Sequence, residues 1–380
     1  MNRYTTDEQE MIARAKQFSD EKLRPIAREL DEENRFPTEL VEEMAQAGFF
    51  GARYPQEFGG LGISTAAAER MATELARNSA GVALTLHVHW MAVDAILKFG
   101  TTEQKQRWLP DLLSGKRIAA YTISEVCAGS DAASMQASAA AVEGGYLLNG
   151  TKYFSTNGGI ADLLVLAFKT APELGAKGIS VFVVDRKAEG LKVGPNLNKM
   201  GCRSSNTTSI ILKDCFVPTK TLLGKENGGF KVAMYGLIGG RLGMCSMGIG
   251  IAEACLAEAA TYANQRSAFG KPIAALYSVQ EMVAEMHVKL EAARLLVDDV
   301  AKRMDTGVDC AVETSTAKIF VAETVNEVCH KSLQIFGGHG YLKTCNLERY
   351  ARDGRLMDIG VGTSEVLKMV VGGAVLRANA

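Results

Sequence analysis

The stretch GGYLLNGTKYFSTNG, residues 144–158, decides the fold class. It carries Asn149-Gly150 between apolar runs, the dipeptide that tight hairpins favour because their turn positions need positive φ. Three further segments share its texture: ADLLVLAFKT at 161–170, GISVFVVD at 178–185 and TTSIILKDCFVP at 207–218. All are short, rich in β-branched residues and bounded by turn residues. A strand block over 121–230, a small barrel or sandwich, is expected.

On either side the chain reads as helix. In residues 1–120, TTDEQEMIARAKQFSDEKL opens with Thr and Asp ahead of a helical apolar pattern, a capping signal. LVEEMAQAGFFGARYPQEFGG closes a helix at Gly48 and enters a Pro/Gly turn. Residues 66–100 give two helices broken around Asn78 to Gly81. In residues 231–380, Val283, Met286, Leu290, Ala293, Val297 and Val300 repeat at steps of three and four, the buried stripe of a long bundle helix. Helix block, strand block, helix block is an α+β order. It excludes a doubly wound nucleotide fold, whose strands alternate with helices. GLIGGRLGMCSMGIG, 236–250, has no strand before it and is weak as a dinucleotide fingerprint.

Composition narrows the function classes. With 47% hydrophobic and 22% charged residues and a net charge of -1, the chain suits a soluble globular protein and gives no basic footprint for nucleic acid. No apolar run is read as a membrane span, and the polar N-terminus lacks a signal-peptide core. The eight cysteines form no CxxC and pair with no His at metal-ligand spacing, which suits a reducing cytoplasm and no metal.

Four segments in order, YTISEVCAGSDAAS, KYFSTNGG, RSAFGKPIAALYSVQ with LQIFGGHGY, and RDGRLMDIGVGTSEV, resemble the acyl-CoA dehydrogenase family over essentially the whole chain. The resemblance implies an N-terminal helical domain, a middle β-domain and a C-terminal four-helix bundle. It also implies FAD, an acyl-CoA substrate, a homotetramer and an electron-transferring flavoprotein as acceptor. It assigns Ile123, Ser124, Phe154 and Thr156 to the flavin ring. Arg266 and Phe269 match residues reaching the FAD of a neighbouring subunit. Gln334, Gly337 and Gly338 match the turn at its phosphates and adenosine half. Thr363 and Glu365 match flavin contacts after the catalytic loop. Ser130 matches a contact to the CoA arm. Val126 departs from the usual Pro, and Tyr277 from a common Gln.

The largest departure concerns the base. A desaturation needs a carboxylate at the carbon that loses its proton. By this resemblance Val361 takes the usual Glu position and Gly360 the usual Tyr position. Gly240, just before the active-site residue Arg241, takes the alternative Glu address. The acyl end of the pocket is matched by helix 81–100, with Ala83, Leu84, His87 and Met91 against the acyl group. Leu84, His87, Met91 and Asp94 share one face. His87, needing no pKa shift, and Asp94, needing burial, are the candidate replacement bases. A packing role for His87 and an Asp94–Lys98 pair are the purely structural roles these residues could have instead. Relatives without the Glu, such as cyclohex-1-ene-1-carboxyl-CoA dehydrogenase, suggest a 1,4-elimination on an apolar, cyclic acyl group. A 3-sulfinopropionyl-CoA desulfinase-like reaction ranks lower, since residues 78–97 hold no Arg or Lys for an anionic tail. The resemblance is also compatible with an enoyl-CoA reductase and with a non-catalytic scaffold of the same fold.

Overall fold

The computed structural model describes residues 3–380. Six helices come first: α1 Thr6–Phe18, α2 Ala27–Glu33, α3 Val41–Gln46, α4 Thr65–Ala76, α5 Ala80–Phe99 and α6 Thr102–Leu113. The sequence's capping signal is realised at Thr5. Its hydroxyl accepts from the Glu8 amide, and the Glu8 carboxylate accepts from the Thr5 amide.

The strands follow: β1 Ala119–Thr122, β2 Ser138–Val142, β3 Gly145–Thr156, β4 Leu163–Lys169, β5 Ile179–Asp185, β6 Leu191–Val193, β7 Thr207–Pro218 and β8 Leu222–Leu223. They make one sheet in the order β6-β7-β3-β2-β4-β5-β8, with β1 beside β4. One face packs its own core around Leu148, Leu166, Phe168, Phe182 and Ile210.

The Asn149-Gly150 hairpin is not there. The chain reverses six residues earlier, at Glu143-Gly144, and β3 runs through as a single strand between β2 and β7. Asn149-Gly150 is a bulge, where the register with β7 shifts between Leu148 and Gly150. Gly150 has φ +133° and sits so close to β2's approach that a Cβ would lie 2.5 Å from that of Ala137. Asn149 instead donates to Asp214 at 3.1 Å and accepts from its amide at 2.8 Å. The dipeptide that suits a turn suits a bulge for the same reason: it tolerates unusual φ.

The chain then returns to helix: α7 Gly229–Gln265, the small hairpin β9 Ser267–Ala268 and β10 Lys271–Pro272, α8 Tyr277–Asp305, α9 Ala311–Phe336, α10 Asn346–Gly354 and α11 Ser364–Ala378. On α8, Met286, Leu290, Ala293, Val297 and Val300 are buried as a stripe, with Val283 partly buried at its edge. α7 is the axis of the molecule, packed against α4, α5, α8 and α9. The expectation that no segment has the length and apolarity of a membrane span needs correcting. Both α5 and α7 meet those measures. Their most apolar windows are 89% and 83% buried, so here they are core helices wrapped by others.

Candidate active site

The contact between α5 and α7 is built from glycines. Gly236, Gly239, Gly240 and Gly243 lie on the α7 surface that meets α5 and β1, at steps of three and four. A Cβ at Gly236 would lie 2.6 Å from the Tyr121 ring, at Gly239 2.6 Å from Asp94 Oδ2, and at Gly243 2.4 Å from His87 Nδ1. At Gly240 it would lie 2.7 Å from Met91 Sδ and 3.0 Å from Val361 Cγ1. The Gly-rich run therefore makes room for the side chains of His87, Met91 and Asp94, the shared face seen in the sequence. Ala83 and Leu84 are buried with them. His89 and Trp90 turn elsewhere: His89 Nδ1 accepts from the Ala119 amide at 3.1 Å, and Trp90 Nε1 donates to the Phe50 carbonyl at 2.9 Å.

Asp94 does not pair with Lys98, whose ammonium lies over the Tyr235 ring. It accepts from Arg53 Nη2 at 2.6 Å and from the Tyr54 hydroxyl at 3.0 Å. Burial pushes its carboxyl up, while Arg53 and Tyr54 hold it down. Arg53 reaches this point from the turn before Pro55, with a side chain only 6% exposed. So a cation does stand at the acyl-pocket helix, supplied from outside residues 78–97. A sequence window around the helix misses it because the partners are 41 residues apart. Its charge is committed to Asp94 and, at 3.7 Å, to Glu69.

His87 also departs from expectation. It is buried, and burial with Arg53 nearby drops it to about 3, so the imidazole is neutral. Its ring meets Trp90 edge-on at 5.3 Å, and Nε2 faces Glu69 Oε2 at 3.9 Å. Of the two candidate bases, Asp94 is the more open, its side chain 18% exposed against 5% for His87.

The loop at 359–363 meets this wall from the other side. Val361 takes φ +55°, a backbone region a β-branched residue rarely occupies. The loop is held there by Lys318, buried on α9, whose ammonium donates to the Gly362 carbonyl at 2.6 Å. Gly360 faces Met244, 3.0 Å from where its Cβ would be. Arg241, matched to an Arg near the active site, is buried. It donates to Ser315 at 3.2 Å, and its Nε has no protein partner. Thr363 caps α11 by accepting from the Val366 amide at 3.3 Å, and Glu365 is exposed in the first turn.

A second surface lies on the sheet. At a second irregularity in β3, Phe154 takes φ +55° and is 64% exposed. The Ser124 carbonyl accepts from the Tyr153 amide at 2.9 Å, which sets the turn after β1 beside Phe154 and Thr156. Glu125 is turned inward, on Lys152 at 2.7 Å and the amides of Gln136 and Ala137. That fixes Ile123 and Ser124 while leaving Ser130 exposed. Arg266 and Phe269 lie exposed at the end of α7, and Gln334, Gly337 and Gly338 at the end of α9. A stack of Tyr262 on Phe336, centroids 4.1 Å apart, joins these two helix ends.

The acyl-CoA dehydrogenase N-terminal domain model matches residues 5–116, the middle domain 120–215 and the C-terminal domain 227–376. Acryloyl-CoA reductase (NADH) of Anaerotignum propionicum is 40% identical over 98% of this chain and 95% of its own length. The chain belongs to the acyl-CoA dehydrogenase family. CarC, a subunit of the caffeyl-CoA reductase-Etf complex of Acetobacterium woodii, is 40% identical over 98% of this chain and all of its own. The structure of butyryl-CoA dehydrogenase from Megasphaera elsdenii superposes with a TM-score of 0.97 at 36% identity, covering 99% of this chain and 100% of that one.

Membership makes the chain an oxidoreductase acting on the CH–CH group of an acyl-CoA, with FAD as cofactor. The sheet surface fits a flavin. Phe154 offers an open aromatic face, and Ser124 and Thr156 offer neutral hydroxyls beside it. The buried hydroxyl of Thr122, two residues before Ser124, has no protein partner. Sequence reasoning finds these residues by motif. It misses Arg53, Tyr54, Glu69, Ser246 and Lys318, which lie outside the motifs and join the site through the fold.

Proposed function

We propose that this family member oxidises an acyl-CoA with an apolar, cyclic acyl group by a 1,4-type elimination, with Asp94 taking the proton. The observation that carries this reading is the layout of the α5–α7 wall. The two positions matched to the family's Glu, Gly240 and Val361, lie together, with Met91 on the other side of Gly240, and leave an apolar surface there. The carboxylate on the same face is Asp94, three residues and therefore ~4.5 Å further along the helix axis. A base set deeper removes a proton from a carbon remote from the thioester.

In this reading Ala83, Leu84, Met91, Gly360 and Val361 bound the acyl group, and Ser130 meets the CoA arm. Ile123, Ser124, Phe154, Thr156, Thr363 and Glu365 hold the flavin, with Arg266, Phe269, Gln334, Gly337 and Gly338 serving a neighbouring subunit's FAD in a cytoplasmic homotetramer. FAD, when bound, accepts the hydride. Arg53 and Tyr54 keep Asp94 ionised and aimed, and Arg241 borders the pocket beside Val361's loop. His87, buried and neutral, packs rather than titrates. Arg53 is already paired with Asp94 at 2.6 Å, which disfavours an anionic acyl tail and hence the desulfinase reading. An electron-transferring flavoprotein as redox partner is supported by the caffeyl-CoA reductase-Etf relative. The reductase names among the relatives support one second reading, the reverse direction, in which protonated Asp94 donates to an enoyl-CoA.

A panel of butyryl-, cyclohexanecarboxyl-, cyclohex-1-enecarboxyl- and 3-sulfinopropionyl-CoA with an artificial electron acceptor tests this. The cyclohex-1-ene ester turns over fastest, and Val361→Glu introduces 1,2-dehydrogenation. Rapid oxidation of butyryl-CoA by the unaltered enzyme contradicts the proposal.

A further inference from the structure

The pairing of Asp94 with Arg53 extends one group further. Arg53 Nη2 holds Asp94 at 2.6 Å, and Nη1 faces Glu69 Oε1 at 3.7 Å. Glu69 is 3% exposed on α4, and its other oxygen accepts from the Ser246 hydroxyl of α7 at 2.6 Å. Three buried polar atoms around it have no protein partner: Glu69 Oε1, Arg53 Nε and His87 Nε2. Glu69 also lines a cavity of about 220 Å³ between α4, α7, α8 and the N-terminal segment. Arg70, Arg294 and Asp298 stand around that cavity, with Arg3 and Tyr4 from the N-terminal segment. Asp94 is not among its lining residues. One guanidinium thus joins two carboxylates, one on the acyl wall and one on a cavity elsewhere.

We propose that Glu69 and Asp94 share Arg53 as a single counter-ion, so that a proton gained by Asp94 is matched by a proton released from Glu69 into the cavity between α4, α7 and α8. This rests on the reading of Asp94 as proton acceptor. The steps balance. The substrate C–H bond breaks and an O–H bond forms at Asp94, which ceases to need Arg53. Arg53 then stabilises Glu69 as a carboxylate, and the Glu69 O–H proton passes to water. Glu69 is a positioning residue, acting on the reaction through Arg53. Groups facing it from each packed element agree with such a role. Burial lifts Glu69 to about 7, with Arg53 and Ser246 pulling down and Asp94 pushing up. Neutral His87 on α5 and Cys245 on α7, a thiol that burial raises, add no charge near neutrality. Arg70 and Arg294 are spent on Glu253, at N–O contacts of 2.5 and 2.8 Å. By this scheme, raising pH ionises Glu69, loosens Arg53 from Asp94 and strengthens Asp94 as a base.

The test needs no substrate. The protonated-carboxyl C=O stretch of the FAD-loaded enzyme is followed by infrared spectroscopy from pH 5 to 9. Buried Asp353, lifted to about 6, contributes its own band, so the wild-type-minus-Glu69→Gln difference is read, and it is expected to hold a band that titrates near neutrality. In Asp94→Asn the Glu69 band persists, but its midpoint falls by at least about one pH unit, because Arg53 then serves Glu69 alone. A difference spectrum without that band, or a Glu69 midpoint unmoved in Asp94→Asn, overturns the shared counter-ion. The outcome is independent of which acyl-CoA is turned over, so failure of the proposed reaction is read separately, from turnover.

Discussion

The α5–α7 wall and the sheet surface around Phe154 are built in opposite ways. The wall between α5 and α7 is closed and self-sufficient: His87, Met91 and Asp94 fit against glycines, and Arg53 lies between two carboxyl groups of the same chain. The sheet surface around Phe154 is open. Phe154 stands 64% exposed and has positive φ. Buried ion pairs and close packing tolerate little change, whereas exposed aromatic groups contribute almost nothing until something covers them. The wall is preformed in shape and charge by the chain's own residues, whereas the sheet face presents an open aromatic ring and hydroxyls. Under the proposed function the first selects the acyl group and the second takes the flavin.

That contrast can be broken at graded cost. Arg53→Met leaves Asp94 and Glu69 buried without their cation and is expected to destabilise the fold by about 3–5 kcal/mol, read by urea denaturation. Gly243→Ala puts a methyl group 2.4 Å from Nδ1 of the buried His87 ring, and should cost about 1–3 kcal/mol in the same assay. Phe154→Ala should leave the stability of the FAD-free protein within about 0.5 kcal/mol. The same variant weakens FAD binding by up to about tenfold, measured by flavin fluorescence titration. A large stability loss at Phe154, or none at Arg53, would erase the distinction.

The same division governs what is legible in the sequence. The three blocks, the Thr5 cap and the α8 stripe are readable because local propensity and burial agree there. Asn149-Gly150 misleads because hairpin and bulge draw on the same backbone tolerance, and only Ala137 and Asp214, distant in sequence or in the sheet, decide between them. The residues matched to flavin contacts lie in compact motifs, and the sheet brings Ser124 beside Phe154. The acyl wall is different. Asp94 is visible on its helical face, but its partner Arg53 sits in a Pro-containing turn with no local sign of burial. His87 reads as an ordinary imidazole because the sequence does not show that Trp90, Gly243 and Glu69 enclose it. Val361 and Gly240 each read as an empty address, yet only the fold shows them to be one place.

The central claim is that the proton goes to Asp94. The most direct measurement is the rate of flavin bleaching when FAD-loaded Asp94→Asn is mixed with cyclohex-1-enecarboxyl-CoA, beside the wild type. Normal FAD content and bleaching slowed by ~10²–10⁴-fold are expected. Bleaching at the wild-type rate would show that the proton is taken elsewhere.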